Sequence, residues 1–210
     1  MAGGVSVRYE PLLILCGGLS RRMGAPKALL PFRGHTLLHK LVTQTHPGRP
    51  VWLAAAGQTY PDTGRAHYLH DALPERQGPL AAILPALQKA HRRGDTGIYV
   101  LACDTLLQPE AVIALLAQGA GLPAWRQGIT LLADAGNGRI HPLMSHWPAA
   151  VRHDLQRYLA QGGRTVSAWL DTQTRQTIAM PEAWQTVCNF NTPADFEHAV
   201  TAAQALPEAT

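Results

Sequence analysis

Short apolar runs at residues 12–16, 51–56 and 98–102 punctuate the first half of the chain, each closing at a glycine or a polar residue. An uninterrupted run of this length fits a strand covered on both faces, the condition of a parallel sheet. Between the runs, apolar positions fall into helical spacing. Residues 36–46 bring Leu37, Leu38, Leu41 and Val42 onto one face, and 110–118 follow Pro109 with Val112, Ile113, Leu115 and Leu116. Residues 79–92 continue the pattern through Ile83, Leu84 and Leu87 but contain Pro85, so a kink is expected there, or a helix that begins later.

Strands alternating with helices predict a three-layer α/β fold with a mostly parallel sheet and right-handed crossovers. After Gly121 the pattern changes. ITLLADAGNGRIHPLM reads as two strands around the turn AGNG, an antiparallel hairpin appended to the sheet. Further helices are expected at 148–161 and, behind Thr192-Pro193, at 194–205. No repeat or linker divides the 210 residues, so a single domain spanning 1–210 is expected, with an ordered core at about 10–204.

Composition narrows the partners. With 46% hydrophobic and 15% charged residues the chain can bury a core. The net charge of +4 comes without a Lys/Arg run or aromatic–basic interleaving, which argues against nucleic acid and suits an anionic small molecule. Cys16, Cys103 and Cys188 are odd in number and far apart, which argues against a disulfide framework or a structural zinc site and for a reducing, cytoplasmic setting. The start lacks a hydrophobic signal core, and no apolar run approaches the roughly 20 residues of a membrane span.

Four segments hold candidate chemistry. In LILCGGLSRRMGAPKALL an apolar run stops at Gly17-Gly18, and Arg21, Arg22 and Lys27 follow. Glycines there allow close backbone approach and unusual dihedrals, so successive N–H groups can face one anion while the basic side chains neutralise phosphate. A plain turn with a solvated basic loop is equally open. The spacing matches neither the P-loop nor the dinucleotide fingerprint, because Gly24 precedes Ala25-Pro26-Lys27 and Gly17 and Gly18 are adjacent. In YVLACDTLLQPE a strand delivers Asp104 to the same sheet edge, either as a ligand for a divalent cation facing phosphate or as a cap before Pro109.

Asp71 in HDALPERQGPLAAI follows an extended run, as a nucleoside contact or as an ordinary turn aspartate, and Gly78-Pro79 opens a helix. Asn189 and Asn191 in VCNFNTPADF alternate, so an extended backbone would turn both to one side, and Thr192 with Asp195 forms a capping-box pattern. His141-Pro142 reads as structural. Cys16 and Cys103 would approach each other if their strands are neighbours, and they read as small buried hydrophobes.

Taken in order, LCGGLSRRMGAPKALL, the Asp71 segment with GPLAAI, LACDTLL, HPLMSHW and NFNTPADF resemble the molybdenum cofactor guanylyltransferase (MobA) family over residues 12–198. The resemblance implies a Rossmann-like nucleotidyltransferase that moves GMP from GTP to molybdopterin carrying molybdenum, with Mg²⁺ as cofactor and pyrophosphate as product. It implies that Leu15, Cys16 and Gly17 lie against guanine, that Gly18, Arg22 and Lys27 serve the triphosphate, and that Asp71 contacts the nucleoside. Asp104 would bind Mg²⁺ beside the α-phosphate, and Asn189 and Asn191 would complete the metal and product side. Other proteins of cofactor biosynthesis and molybdoenzyme chaperones are the further partners it implies.

Two departures stand out: Cys16 replaces the usual alanine of LAGG, and VWLAAAG has no asparagine near Ala54. The rival readings are a cytidylyltransferase for the same cofactor, whose loop tends to read AAG and whose tail DTP, a sugar-1-phosphate nucleotidyltransferase, and a nucleotide binder without turnover. CGG, NTP and Asp104 favour guanylyl transfer.

Overall fold

Leu12 and Ile14 pack into one hydrophobic layer and Leu13 into another, the period-two division of a strand buried on both faces. Trp52 and Ala54 on one side, and Val51 and Leu53 on the other, repeat the division in the next strand. The computed structural model describes residues 8–18, 22–72, 78–122 and 126–205.

In chain order the strands are β1 (Leu12–Leu15), β2 (Pro31–Phe32), β3 (His35–Thr36), β4 (Val51–Ala54), β5 (His67–Leu69), β6 (Gly97–Ala102), β7 (Ile129–Asp134), β8 (Ile140–Pro148) and β9 (Arg175–Met180). The helices are α1 (Leu37–Thr43), α2 (Pro79–Arg93), α3 (Pro109–Ala117), α4 (Arg152–Ala160), α5 (Val166–Leu170) and α6 (Pro193–Ala203). Among the described residues seven strands form one sheet in the order β5-β4-β1-β6-β8-β7-β9, and β2 and β3 pair separately.

Residues of α1, α3 and α6 belong to one core layer, and those of α2, α4 and α5 to the other, where Trp147 stacks on Trp169 with ring centroids 4.9 Å apart. The expected three-layer α/β fold is therefore present. The antiparallel hairpin is present as well: β8 joins the sheet between β6 and β7, antiparallel to both, and β9 extends it beyond β7 in parallel. Nine residues long and mostly buried, β8 has enough apolar surface to be covered on both faces, which favours an interior position.

Pro85 does not delay α2, which starts at Pro79 behind Gly78 and runs through to Arg93. Proline at this position removes the N–H that would bond to the carbonyl four residues earlier, Ala81. That carbonyl instead accepts a hydrogen bond from the Ala72 N–H at 2.9 Å. The helix thus tolerates its proline by giving the freed acceptor to the loop that carries Asp71.

β1 pairs with β4 on one side and β6 on the other: the chain steps outward from β1 to β4 and β5, then crosses back to β6 on the far side of β1. A crevice at the carboxyl ends of such strands is where open α/β sheets bind ligands.

Candidate active site

The carboxyl end of β1 opens into a cleft of about 490 Å³, and Leu15, Cys16, Gly17, Gly18, Arg22 and Lys27 line one side of it. Arg21 lies outside the described residues. The two glycines have different jobs, and neither has positive φ, so the unusual dihedrals expected of them are absent. A Cβ on Gly17 would sit 2.8 Å from the Ala56 Cβ and 2.9 Å from the Ala55 carbonyl carbon, so this glycine permits close packing against the loop after β4. A Cβ on Gly18 would meet no atom within 4 Å. Its missing side chain keeps the cleft open rather than relieving a clash.

The loop after β4 turns through Ala56 and Gly57, at φ 49° and 79°, and returns to brace the β1 exit. There the buried Tyr60 hydroxyl donates to the Cys16 carbonyl at 2.9 Å. Nothing in the sequence marks Tyr60 as part of the site, because its contact is made 44 residues away. Cys16 donates its thiol to the Ala54 carbonyl at 3.5 Å, and burial pushes that thiol up to about 12. It is a neutral, small side chain. Ala54 and Ala56 contribute only methyl groups to the cleft wall, so no amide stands in for the absent asparagine at those positions.

β6 delivers Asp104 to the opposite side. It does not cap α3, whose N-cap is Gln108. Its Oδ2 instead accepts a hydrogen bond from Lys27 Nζ at 2.9 Å, and the same ammonium donates to Asn191 Oδ1 at 3.0 Å. The chain's tail holds Asp104 in place: Asn189 N–H donates to the Asp104 carbonyl at 2.6 Å, and Leu106 N–H to the Val187 carbonyl at 2.8 Å.

The two asparagines do not share a side. Asn189 has φ 59°, a left-handed conformation that asparagine accepts more readily than most residues, so the backbone is not extended there. Asn191 lines the large cleft. Asn189 lines a smaller cavity of about 140 Å³ on the other side of Asp104. The expected capping box is formed: Thr192 Oγ1 accepts from Asp195 N–H at 3.2 Å, while Asp195 Oδ2 accepts from the N–H groups of Thr192 and Asn191 at 2.9 and 3.0 Å. Those backbone donors hold the Asp195 carboxyl below the usual range and fix the stem that carries Asn191.

Asp71 lines the cleft two residues beyond β5. Its Oδ1 is buried with no hydrogen-bond partner among the described residues, an arrangement foreign to a turn aspartate. Burial raises its carboxyl above the ordinary range, with His70 opposing the shift. A buried acceptor without a donor is suited to a ligand N–H or O–H. Leu143, from β8, completes the wall; no sequence signal marked it, because its position follows from the strand order.

The donor set can be tested for Mg²⁺. Asp104 Oδ2 and Asn191 Oδ1, two hard oxygens, already converge on one cationic group, the Lys27 ammonium. Among the described residues no cluster of three His, Cys, Asp or Glu could cage a metal alone. One carboxylate, one amide and substrate phosphates fit Mg²⁺, which commonly binds through one or two carboxylates together with phosphate oxygens.

A glycine turn, a lysine and the Asp104 carboxylate converge at the switch point of a mostly parallel sheet, an arrangement suited to a nucleotidyltransferase. The chain belongs to the family of MobA-like NTP transferase domains, whose model matches residues 12–177. It is 32% identical over 179 residues to the molybdenum cofactor guanylyltransferase of Rhizobium meliloti (strain 1021), covering 82% of this chain and 79% of the relative. With the molybdenum cofactor guanylyltransferase of Acidiphilium cryptum (strain JF-5) it shares 31% over 195 residues, covering 89% and 92%.

Among solved structures, molybdopterin-guanine dinucleotide biosynthesis protein A from Archaeoglobus fulgidus superposes with a TM-score of 0.71 at 18% identity, covering 93% of this chain and all of that one. The 2-C-methyl-D-erythritol 4-phosphate cytidylyltransferase of Thermus thermophilus follows at 0.62 and 17%, covering 94% and 100%. At such identities these two structures speak to the fold. Among the described residues no helix is long and apolar enough to cross a membrane.

Proposed function

We propose that this protein transfers GMP from GTP to molybdopterin carrying molybdenum, forming the guanine dinucleotide cofactor and releasing pyrophosphate, and that one domain carries the whole reaction. The observation that carries the reading is the Lys27 ammonium held between Asp104 and Asn191 in the cleft that also contains the Gly17-Gly18 turn. Leu15, Cys16 and Gly17 present the surface for the base, and Asp71 offers a nucleoside donor its buried Oδ1, which has no hydrogen-bond partner among the described residues. Gly18, Arg22 and Lys27 serve the triphosphate.

The reaction needs no protein nucleophile. An oxygen of the acceptor's phosphate, already ionised at neutral pH, bonds to the α-phosphorus while the bond to the β-phosphate oxygen breaks, and the electron pair leaves with pyrophosphate. Positioning and charge neutralisation supply the catalysis. Mg²⁺, held by Asp104 and Asn191 together with substrate phosphates, would supply charge neutralisation at the α-phosphate. Lys27 then turns from Asp104 toward the phosphates, where its point charge favours the triphosphate. Three buried thiols, kept neutral by burial, suit a reducing cytoplasm.

The test is incubation with molybdopterin, molybdate, Mg²⁺ and each of the four nucleoside triphosphates in turn. Product from GTP alone is expected, and preference for CTP would overturn the choice of base. Asp104→Asn should keep the fold and the Lys27 contact while lowering turnover by about 100-fold or more, the scale of a lost transition-state charge contact. Turnover within about threefold of the parent, far short of such a loss, would remove Asp104 from the chemistry.

A further inference from the structure

Lys40, on α1, is only 8% exposed, yet no carboxylate pairs with it among the described residues. Its ammonium donates to the backbone carbonyls of Leu106 and Leu107, the second at 3.2 Å, and lies 5.3 Å from the centre of the Phe32 ring. Burial, and then the nearby Arg33 guanidinium, push its pKa down to about 8. Burying an ammonium without a counter-charge has a cost that an apolar side chain in the same space would avoid. Packing alone therefore does not call for a lysine, whereas three donors on one ammonium suit two carbonyls from consecutive residues.

Those carbonyls belong to the turn that leaves Asp104. The N–H groups of the turn are committed elsewhere: Leu106 donates to the Val187 carbonyl at 2.8 Å, and Leu107 to Thr105 Oγ1 at 3.1 Å. One turn back along α1, the Leu37 N–H donates at 2.9 Å to the carbonyl of Leu30, which closes the segment carrying Lys27. So α1 grips the Lys27 arm by its backbone and the Asp104 arm by the Lys40 side chain. The Lys27–Asp104 contact at 2.9 Å completes the circuit in the cleft.

We propose that Lys40 is a positioning residue: its ammonium ties the turn after Asp104 to α1 and fixes where the Asp104 carboxylate stands once Lys27 has left it for the triphosphate. The inference rests on the reading of the cleft as a nucleotide site in which Asp104 holds the metal. Lys27 restrains Asp104 from the cleft side. When phosphate draws that ammonium away, the carboxylate keeps its backbone restraints, from the Asn189 N–H of the tail and from Lys40 through the turn. A ligand oxygen held in place from behind meets its cation already oriented.

The experiment uses Lys40→Met in the full chain, which keeps the apolar stem and removes the donors. Calorimetry first measures α,β-methylene-GTP without metal, then titrates Mn²⁺ into the analogue-loaded protein. The analogue should bind parent and variant alike, while Mn²⁺ should bind the variant about 10- to 100-fold more weakly, the scale for losing a group that orients a metal ligand. In turnover kcat should fall by a similar factor with KM for GTP unchanged. Lys40→Arg, which restores charge and donors, should recover most of the Mn²⁺ affinity. If Lys40→Met melts below the assay temperature, Lys40→Gln, which keeps an amide donor, takes its place with the same readings expected in smaller degree. Parent-like Mn²⁺ affinity and kcat in a variant that merely melts lower would assign Lys40 to stability alone and overturn the proposal. An equal loss of analogue and Mn²⁺ affinity would overturn it too. A parent that binds no analogue would instead overturn the nucleotide reading, and one that binds the analogue but no Mn²⁺ would overturn the metal role of Asp104 and this proposal with it.

Discussion

Asp71→Asn separates stability from function with opposite signs. The buried Oδ1 has no donor among the described residues, so folding places a partly shielded charge in an unfavourable position. Its carboxyl is raised by burial, and a raised carboxyl contributes stability that is present below the unfolded pKa and lost as pH rises through the folded one. Asparagine mimics the protonated state at every pH. Because the residue is half-buried, solvent screening keeps the gain at neutral pH to about 0.5–1 kcal/mol.

For a chain of this size that gain is about 1–4 °C in Tm. The advantage should shrink toward about pH 4 and below, where the parent's own carboxyl is protonated in both states. GTP affinity should fall in the same variant. Replacing a charged acceptor by a neutral one costs about 1–2 kcal/mol, or about 5- to 30-fold in Kd. Melting curves between neutral and acid pH and calorimetric GTP titration read the two effects independently. A lower Tm at neutral pH, or GTP affinity equal to the parent's, would refute the assignment of Asp71 as an acceptor awaiting its ligand.

Two further substitutions probe the supports of the site. Gly17→Ala would drive a methyl group against Ala55 and Ala56, so nucleotide affinity should drop by more than about tenfold with a destabilisation of about 1–3 kcal/mol, whereas Gly18→Ala should leave Tm unchanged. Equal melting of both variants would show that the brace behind Gly17 is not formed. Pro85→Ala restores a helical N–H that competes with Ala72 for the Ala81 carbonyl, so GTP binding should weaken about fivefold, the worth of one net hydrogen bond, without loss of Tm. An unchanged Kd would detach the Asp71 loop from α2.

The glycine turn, Asp71, Asp104 and the tail asparagines were legible because each follows a strand or precedes a helix whose apolar pattern is local. Such patterns put strand ends at one sheet edge whatever the rest of the chain does. The capping box at Thr192 and Asp195 was legible for the same reason, since both partners lie within one turn. Other features depend on residues far apart in sequence. Whether the 129–148 hairpin lies at an edge or inside the sheet turns on which faces other elements cover, and the order of pairing is invisible in either strand alone.

The same distinction governs the chemistry. Alternation put Asn189 and Asn191 on one side for an extended backbone, but a left-handed residue, held by a hydrogen bond to Asp104, sends them to two cavities. Pro85 suggested a kink or a later helix start, but a donor from another segment takes the acceptor it orphans and the helix runs from Pro79. Local order along the chain specifies the elements, the family resemblance and the residue types able to meet phosphate. Which of them meet is settled by the folded arrangement, because hydrogen bonds from Tyr60 to Cys16 and from Lys27 to both Asp104 and Asn191 join segments that no local pattern connects.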